Sequence, residues 1–82
     1  MGSNNLNPRR LAEKLKRVRM QQNLSQNEIL QKLGFDDILF QGNISQYELG
    51  RREPPLLLLL AYARLAEIQV EILIDDNLDL PF

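Results

Sequence analysis

A chain of 82 residues, 44% of them hydrophobic and 26% charged, has the size and balance of one globular domain. It contains no cysteine and no histidine, which excludes disulfides, zinc–thiolate sites and any Ser–His pair built on Ser3, Ser25 or Ser45, so neither an enzyme nor a metal or cofactor is expected. Residues 1–64 carry all ten Lys/Arg against six acids and residues 65–82 carry five acids and no base, so the net charge of −1 conceals a basic body and an acidic end, an asymmetry suited to an anionic partner or simply to solvated helix faces.

Met1-Gly2-Ser3 reads as a cloning remnant and residues 1–7 as a flexible N-terminus without the apolar run of a secretory leader. Asn7-Pro8 is a helix start, with Asn as the cap and Pro in the first position. Leu11, Leu15 and Val18 follow at i, i+4 and i+7, one apolar stripe on a charged helix that ends at Gln21-Gln22-Asn23. Ser25-Gln26-Asn27-Glu28 is a capping box, with Leu24 and Ile29 placed for a hydrophobic staple. Ile29, Leu30 and Leu33 form the inner face of this second helix, and Gly34 ends it.

Phe35 to Phe40 admits two readings: Asp36-Asp37 caps a short helical turn, or the apolar residues pin a loop. Asn43-Ile44-Ser45-Gln46 offers a cap for a third helix that Gly50 terminates, with Ile44 and Tyr47 facing inward. Pro54-Pro55 starts a fourth helix, from about Leu56 to Glu67, and Gln69 to Ile74 gives a short fifth. The longest apolar run, Leu56 to Ala63, is eight residues, far below the roughly 18 of a membrane span. Within the fourth helix, Leu58, Ala61 and Leu65 form one stripe and Leu56, Leu59, Leu60 and Ala63 another. A helix apolar all round is normally buried, here either under the tail residues Leu78, Leu80 and Phe82 or against a second subunit. The expected fold is all-α, five short helices over residues 8–75, followed by an acidic and apolar tail, 76–82.

The order Leu24-Ser25-Gln26-x-Glu28-Ile29, Leu33-Gly34, Ile44-Ser45-x-Tyr47-Glu48-x-Gly50-Arg51-Arg52-x-Pro54 and Leu56 resembles the lambda-repressor-like, XRE-type helix-turn-helix domains from about Arg9 to Ile74. The resemblance implies a compact five-helix domain whose third helix lies in the DNA major groove. It implies that Gln26, at the start of the second helix, binds a phosphate and braces the third. Gln41 and Gln46 match positions that reach base edges, where a glutamine amide can pair with adenine N6 and N7. Ser45 suits an edge contact and Asn43 a phosphate. Arg51 and Arg52 after the third helix, and Arg9, Arg10 and Lys14 at the start of the first, match elements that approach the DNA backbone and fix register.

Two features depart from the family's pattern. Nine residues separate Gly34 from Ile44, a longer turn than usual, so that Gln41 would lie outside the third helix if Asn43 is its cap; Gly42 also replaces a residue that often reads a base. The second departure is Leu57, Leu58 and Leu65, where the family usually has polar residues, which marks them as a dimer surface. The implied function is that of a cytoplasmic, homodimeric regulator of transcription, a repressor by preference, binding double-stranded DNA. Its rivals are an antitoxin with the same DNA-binding domain, and a helical interaction module that meets a protein partner through the fourth helix and the tail.

Overall fold

The computed structural model describes residues 8–82 and contains five helices: α1 (Leu11–Gln21), α2 (Gln26–Leu33), α3 (Gln41–Glu48), α4 (Leu56–Ala66) and α5 (Val70–Ile74). No strand occurs among the described residues. Leu11, Leu15 and Val18 of α1, Ile29 and Leu30 of α2, Ile44 and Tyr47 of α3, Leu58, Leu59, Tyr62 and Ala63 of α4, and Leu73 of α5 converge on one core. Fully burying each large aliphatic side chain there is worth about 1.5–3 kcal/mol. Leu80 of the tail joins the same core, and Leu33, Phe35, Leu39 and Phe82 pack partly against it.

The punctuation of α2 behaves as its residues dictate. The Ser25 hydroxyl accepts the Glu28 N–H at 3.1 Å, and the Glu28 carboxylate accepts the Ser25 N–H at 2.8 Å. These bonds hold the Glu28 carboxyl below its ordinary pKa, the backbone bond contributing most. Gly34 closes the helix in the left-handed region at φ 79°, a conformation that side chains disfavour even though nothing crowds this position.

α1 starts later than the sequence suggests. Pro8 lies outside it, Arg10 is its N-cap residue, and the expected Asn7 cap, like all of residues 1–7, lies outside the described residues. The cap comes instead from the other end of the chain: Asp76 accepts the N–H groups of Arg9 at 2.9 Å and Arg10 at 3.0 Å. A carboxylate at a helix N-terminus satisfies orphan donors and favours the helix dipole, and here it also ties the tail to α1.

α4 divides its leucines differently from the expected stripes. Leu58 is fully buried beside Leu59, Tyr62 and Ala63, whereas Leu56 and Leu57 face solvent and Leu60, Ala61 and Leu65 are half-buried. Leu58 is therefore a core residue and not a dimer surface. The helical spacing 58, 59, 62, 63 follows Tyr62 inward, and the pairing of Leu59 and Ala63 with Leu56 fails because Leu56 opens the helix at the outer end. No helix among the described residues is long and apolar enough to cross a membrane.

Candidate nucleic-acid interface

α3 is held from behind by charge. Glu48, with a side chain only 4% exposed, receives Arg19 of α1 through two bonds, Nε to Oε2 at 2.7 Å and Nη2 to Oε1 at 3.0 Å. The remaining guanidinium arm donates to the Leu24 carbonyl at 2.9 Å, so one arginine joins α1, the α1–α2 turn and α3. Its bond to Glu48 raises the guanidinium pKa further, against the effect of burial. A planar fork on a carboxylate fixes orientation as well as distance.

Gln26 extends this anchor toward solvent. Its Nε2 donates to Glu48 Oε1 at 3.2 Å, and its Oε1 accepts from Gln41 Nε2 at 3.3 Å. The first residue of α2 thus bridges the first and last residues of α3. Against this support Ile44 and Tyr47 turn inward, leaving Gln41 and Gly42 exposed and Ser45 and Gln46 half-exposed on the outer side. At 100° per residue these four positions share one face of α3. A Cβ at Gly42 would meet open space, so this face carries a gap.

The start of α3 is settled by Asn43. It is not the cap: α3 begins at Gln41, and Asn43 sits two residues further on, where its Oδ1 accepts the Phe40 N–H at 2.8 Å. The long turn is absorbed before the helix. The Phe35 carbonyl accepts the N–H groups of Ile38 at 3.1 Å and Leu39 at 2.9 Å, closing a turn that Phe35 and Leu39 pin to the core. The segment is thus a turn closed by the Phe35 carbonyl and pinned as a loop by Phe35 and Leu39; the cap expected from Asp36-Asp37 is not made, since neither side chain bonds a backbone N–H among the described residues.

The cations divide into two groups. Arg51 and Arg52 are exposed after α3, and with Arg9 they line an open cleft floored by Ala12, Tyr47 and Gly50. Lys14 belongs elsewhere. It is 1% exposed, and its ammonium donates to the carbonyls of Ile72 at 2.8 Å, Asp75 at 2.9 Å and Leu78 at 2.7 Å. Burial lowers its pKa most, and the nearby Arg10 lowers it further. An ammonium has three donors, and all three are taken, so Lys14 is not free to meet a phosphate.

Arg10 is drawn to the same place. Its guanidinium bonds Asp79 at 2.7 Å and the Asp76 carbonyl at 2.9 Å, and Arg17 donates to the Phe82 carbonyl. The acidic end is therefore not a separate region in space: it is folded onto the cations of α1. Arg10 holds the Asp79 carboxyl below its ordinary pKa, and the Arg9 and Arg10 N–H groups do the same for Asp76.

The structure brings together Gln26, Gln41, Ser45 and Gln46, which the family pattern groups in one region. That pattern assigns no role to Arg19, Glu48 or Asp76. Glu48 carried a signal, being an acid on the inner face four residues after Ile44, which demands a buried cation. Asp76 carried none, because its partners lie 66 and 67 residues away. A helix-turn-helix family model matches residues 15–73, most of the chain, and leaves out the α1 start and the tail that bond each other. No curated protein matches the chain.

Proposed function

The chain belongs to the lambda-repressor-like, XRE-type helix-turn-helix family of DNA-binding domains, and from that premise we propose that it is a sequence-specific regulator of transcription, a cytoplasmic repressor acting by occupying promoter DNA. The observation that carries this reading is the chain of bonds Arg19–Glu48–Gln26–Gln41, which fixes α3 while leaving a polar face open. A reading helix must be rigid, because base-edge hydrogen bonds tolerate little misplacement.

Gln41, Ser45 and Gln46 are the proposed base contacts. Arg9, Arg51 and Arg52 are the proposed phosphate cations. Asn43 keeps its amide N–H group for a phosphate, and Gln26 keeps one amide hydrogen beyond its bracing bonds. Arg10 stays committed to Asp79. The proposed domain, residues 8–75, works with the tail 76–82 packed on it.

The outer side of α4 supports a homodimer. Leu57, Ala61 and Leu65 lie at i, i+4 and i+8 and line a groove with Leu33 and Phe35 of α2 and its turn. Two copies of such a stripe, antiparallel about Ala61, are self-complementary under a two-fold axis. The dimer would read half-sites about 34–36 Å apart, or a multiple of that.

The test is selection of bound duplexes from random fragments, followed by titration at increasing salt. One enriched motif is expected, with a log–log salt slope near −2.7 per domain from three arginines at about −0.9 each. Absence of any enriched motif, or binding indifferent to salt, would overturn the reading.

A further inference from the structure

The turn that precedes α3 presents an aromatic ring beside the polar face. Phe40 is the N-cap residue of α3 and is 78% exposed, and Ile38 in the same turn is 66% exposed. Single exposed apolar side chains are ordinary on protein surfaces, so exposure alone assigns nothing. Two further features distinguish this one. The backbone beneath the ring is fixed on both sides: the Phe40 N–H goes to Asn43 Oδ1, the Phe40 carbonyl accepts the Asn43 N–H at 2.9 Å, and Leu39 is held by its packing and by its bond to Phe35. The next residue is Gln41, whose amide is already positioned by Gln26. The ring therefore stands on an ordered support at the end of α3 that enters the groove first, since base contacts come from the N-terminal residues of a recognition helix.

A phenyl ring offers no hydrogen bond. The one apolar feature on a major-groove edge of unmodified DNA is the C5 methyl group of thymine. We infer that Phe40 is a specificity-determining residue that recognises a thymine methyl next to the base met by Gln41. This rests on the reading of α3 as the base-contacting helix. A Cβ at Gly42 would meet open space, so the second position of α3 adds no side chain to the face that follows Gln41. The long turn then has a use: it carries an apolar contact to the edge of a face that is otherwise polar.

Duplexes carrying the selected site, with each thymine replaced singly by deoxyuridine, isolate the methyl group. Wild-type protein should lose about fourfold in affinity at one thymine position of each half-site, the worth of one buried methyl-sized group. Phe40→Ala should bind the thymine and uracil forms of that position alike, at or below the level of wild type on the uracil form. Its melting temperature should match wild type, because the ring contributes little to the core. Three results would overturn the inference: no thymine replacement affecting wild type, Phe40→Ala retaining full affinity, or Phe40→Ala weakening both forms in equal proportion, as a wedge or backbone contact would. An enriched site that responds to Gln46→Ala but to no thymine replacement removes this inference alone. Absence of any enriched site removes it together with the proposed function.

Discussion

Lys14→Met separates holding the fold from holding DNA. The methionine keeps most of the apolar stem inside the core but removes the ammonium, leaving the carbonyls of Ile72, Asp75 and Leu78 without their partner. An orphaned buried acceptor costs about 1–3 kcal/mol. These carbonyls are only partly buried and can recruit water, and the variant no longer desolvates an ammonium, so the sum over three acceptors falls toward the lower end, about 3–5 kcal/mol. Domains of this kind are stable by roughly 5–15 kcal/mol in total, so the substitution should consume a large share. With a urea m-value of about 2 kcal/mol per M, the unfolding midpoint should fall by about 2 M at unchanged m. Amide exchange should accelerate in α5 and the tail before α2 and α3, because Lys14 ties those two segments to α1. At temperatures where the variant remains folded, DNA affinity and salt slope should match wild type. A stability loss below about 1 kcal/mol, or a shallower salt slope in the folded variant, would refute the assignment of Lys14 to the fold.

Gln46→Ala should cost about 1–3 kcal/mol on the preferred site and relax preference at one base pair, whereas Arg52→Ala should weaken preferred and random DNA alike and reduce the salt slope by roughly one; parallel titrations of both variants check this, and Gln41→Ala should behave like Gln46→Ala because α3 begins at Gln41. Asp76 and Asp79 have lowered pKa values in the fold, so their contribution is fully present above the unfolded carboxyl range near ~3.9 and is lost as pH falls through their folded values. The urea midpoint should therefore decline below about pH 4, and Asp76→Ala should lower the midpoint at pH 7 while flattening that decline. Leu58→Ala should cost about 2–5 kcal/mol of stability without changing assembly, and Leu57→Glu should abolish the dimer in sedimentation at nearly unchanged stability. The reverse pattern would return Leu58 to the surface.

The features legible in the residues alone are local ones. Ser25 and Glu28 specify the start of α2 within four residues, Gly34 specifies its end through a single left-handed backbone, and the 3.6-residue period of Leu11, Leu15 and Val18 specifies which side of α1 is inner. Such rules act between neighbours, so they are legible before the chain folds, and the family pattern adds the outer face of α3 by the same short-range spacing. The tertiary structure alone decided which charges are free. Arg9, Arg10 and Lys14 look equivalent in sequence, yet Lys14 is enclosed by α5 and the tail, Arg10 is bound to Asp79, and the Arg9 guanidinium lies beside the α3–α4 loop with no partner among the described residues. The start of α1 was decided in the same way, by a carboxylate from the opposite end of the chain. The physical reason is that a hydrogen bond or ion pair depends on distance in space, and closing a loop of more than 60 residues leaves no trace in the composition of either end.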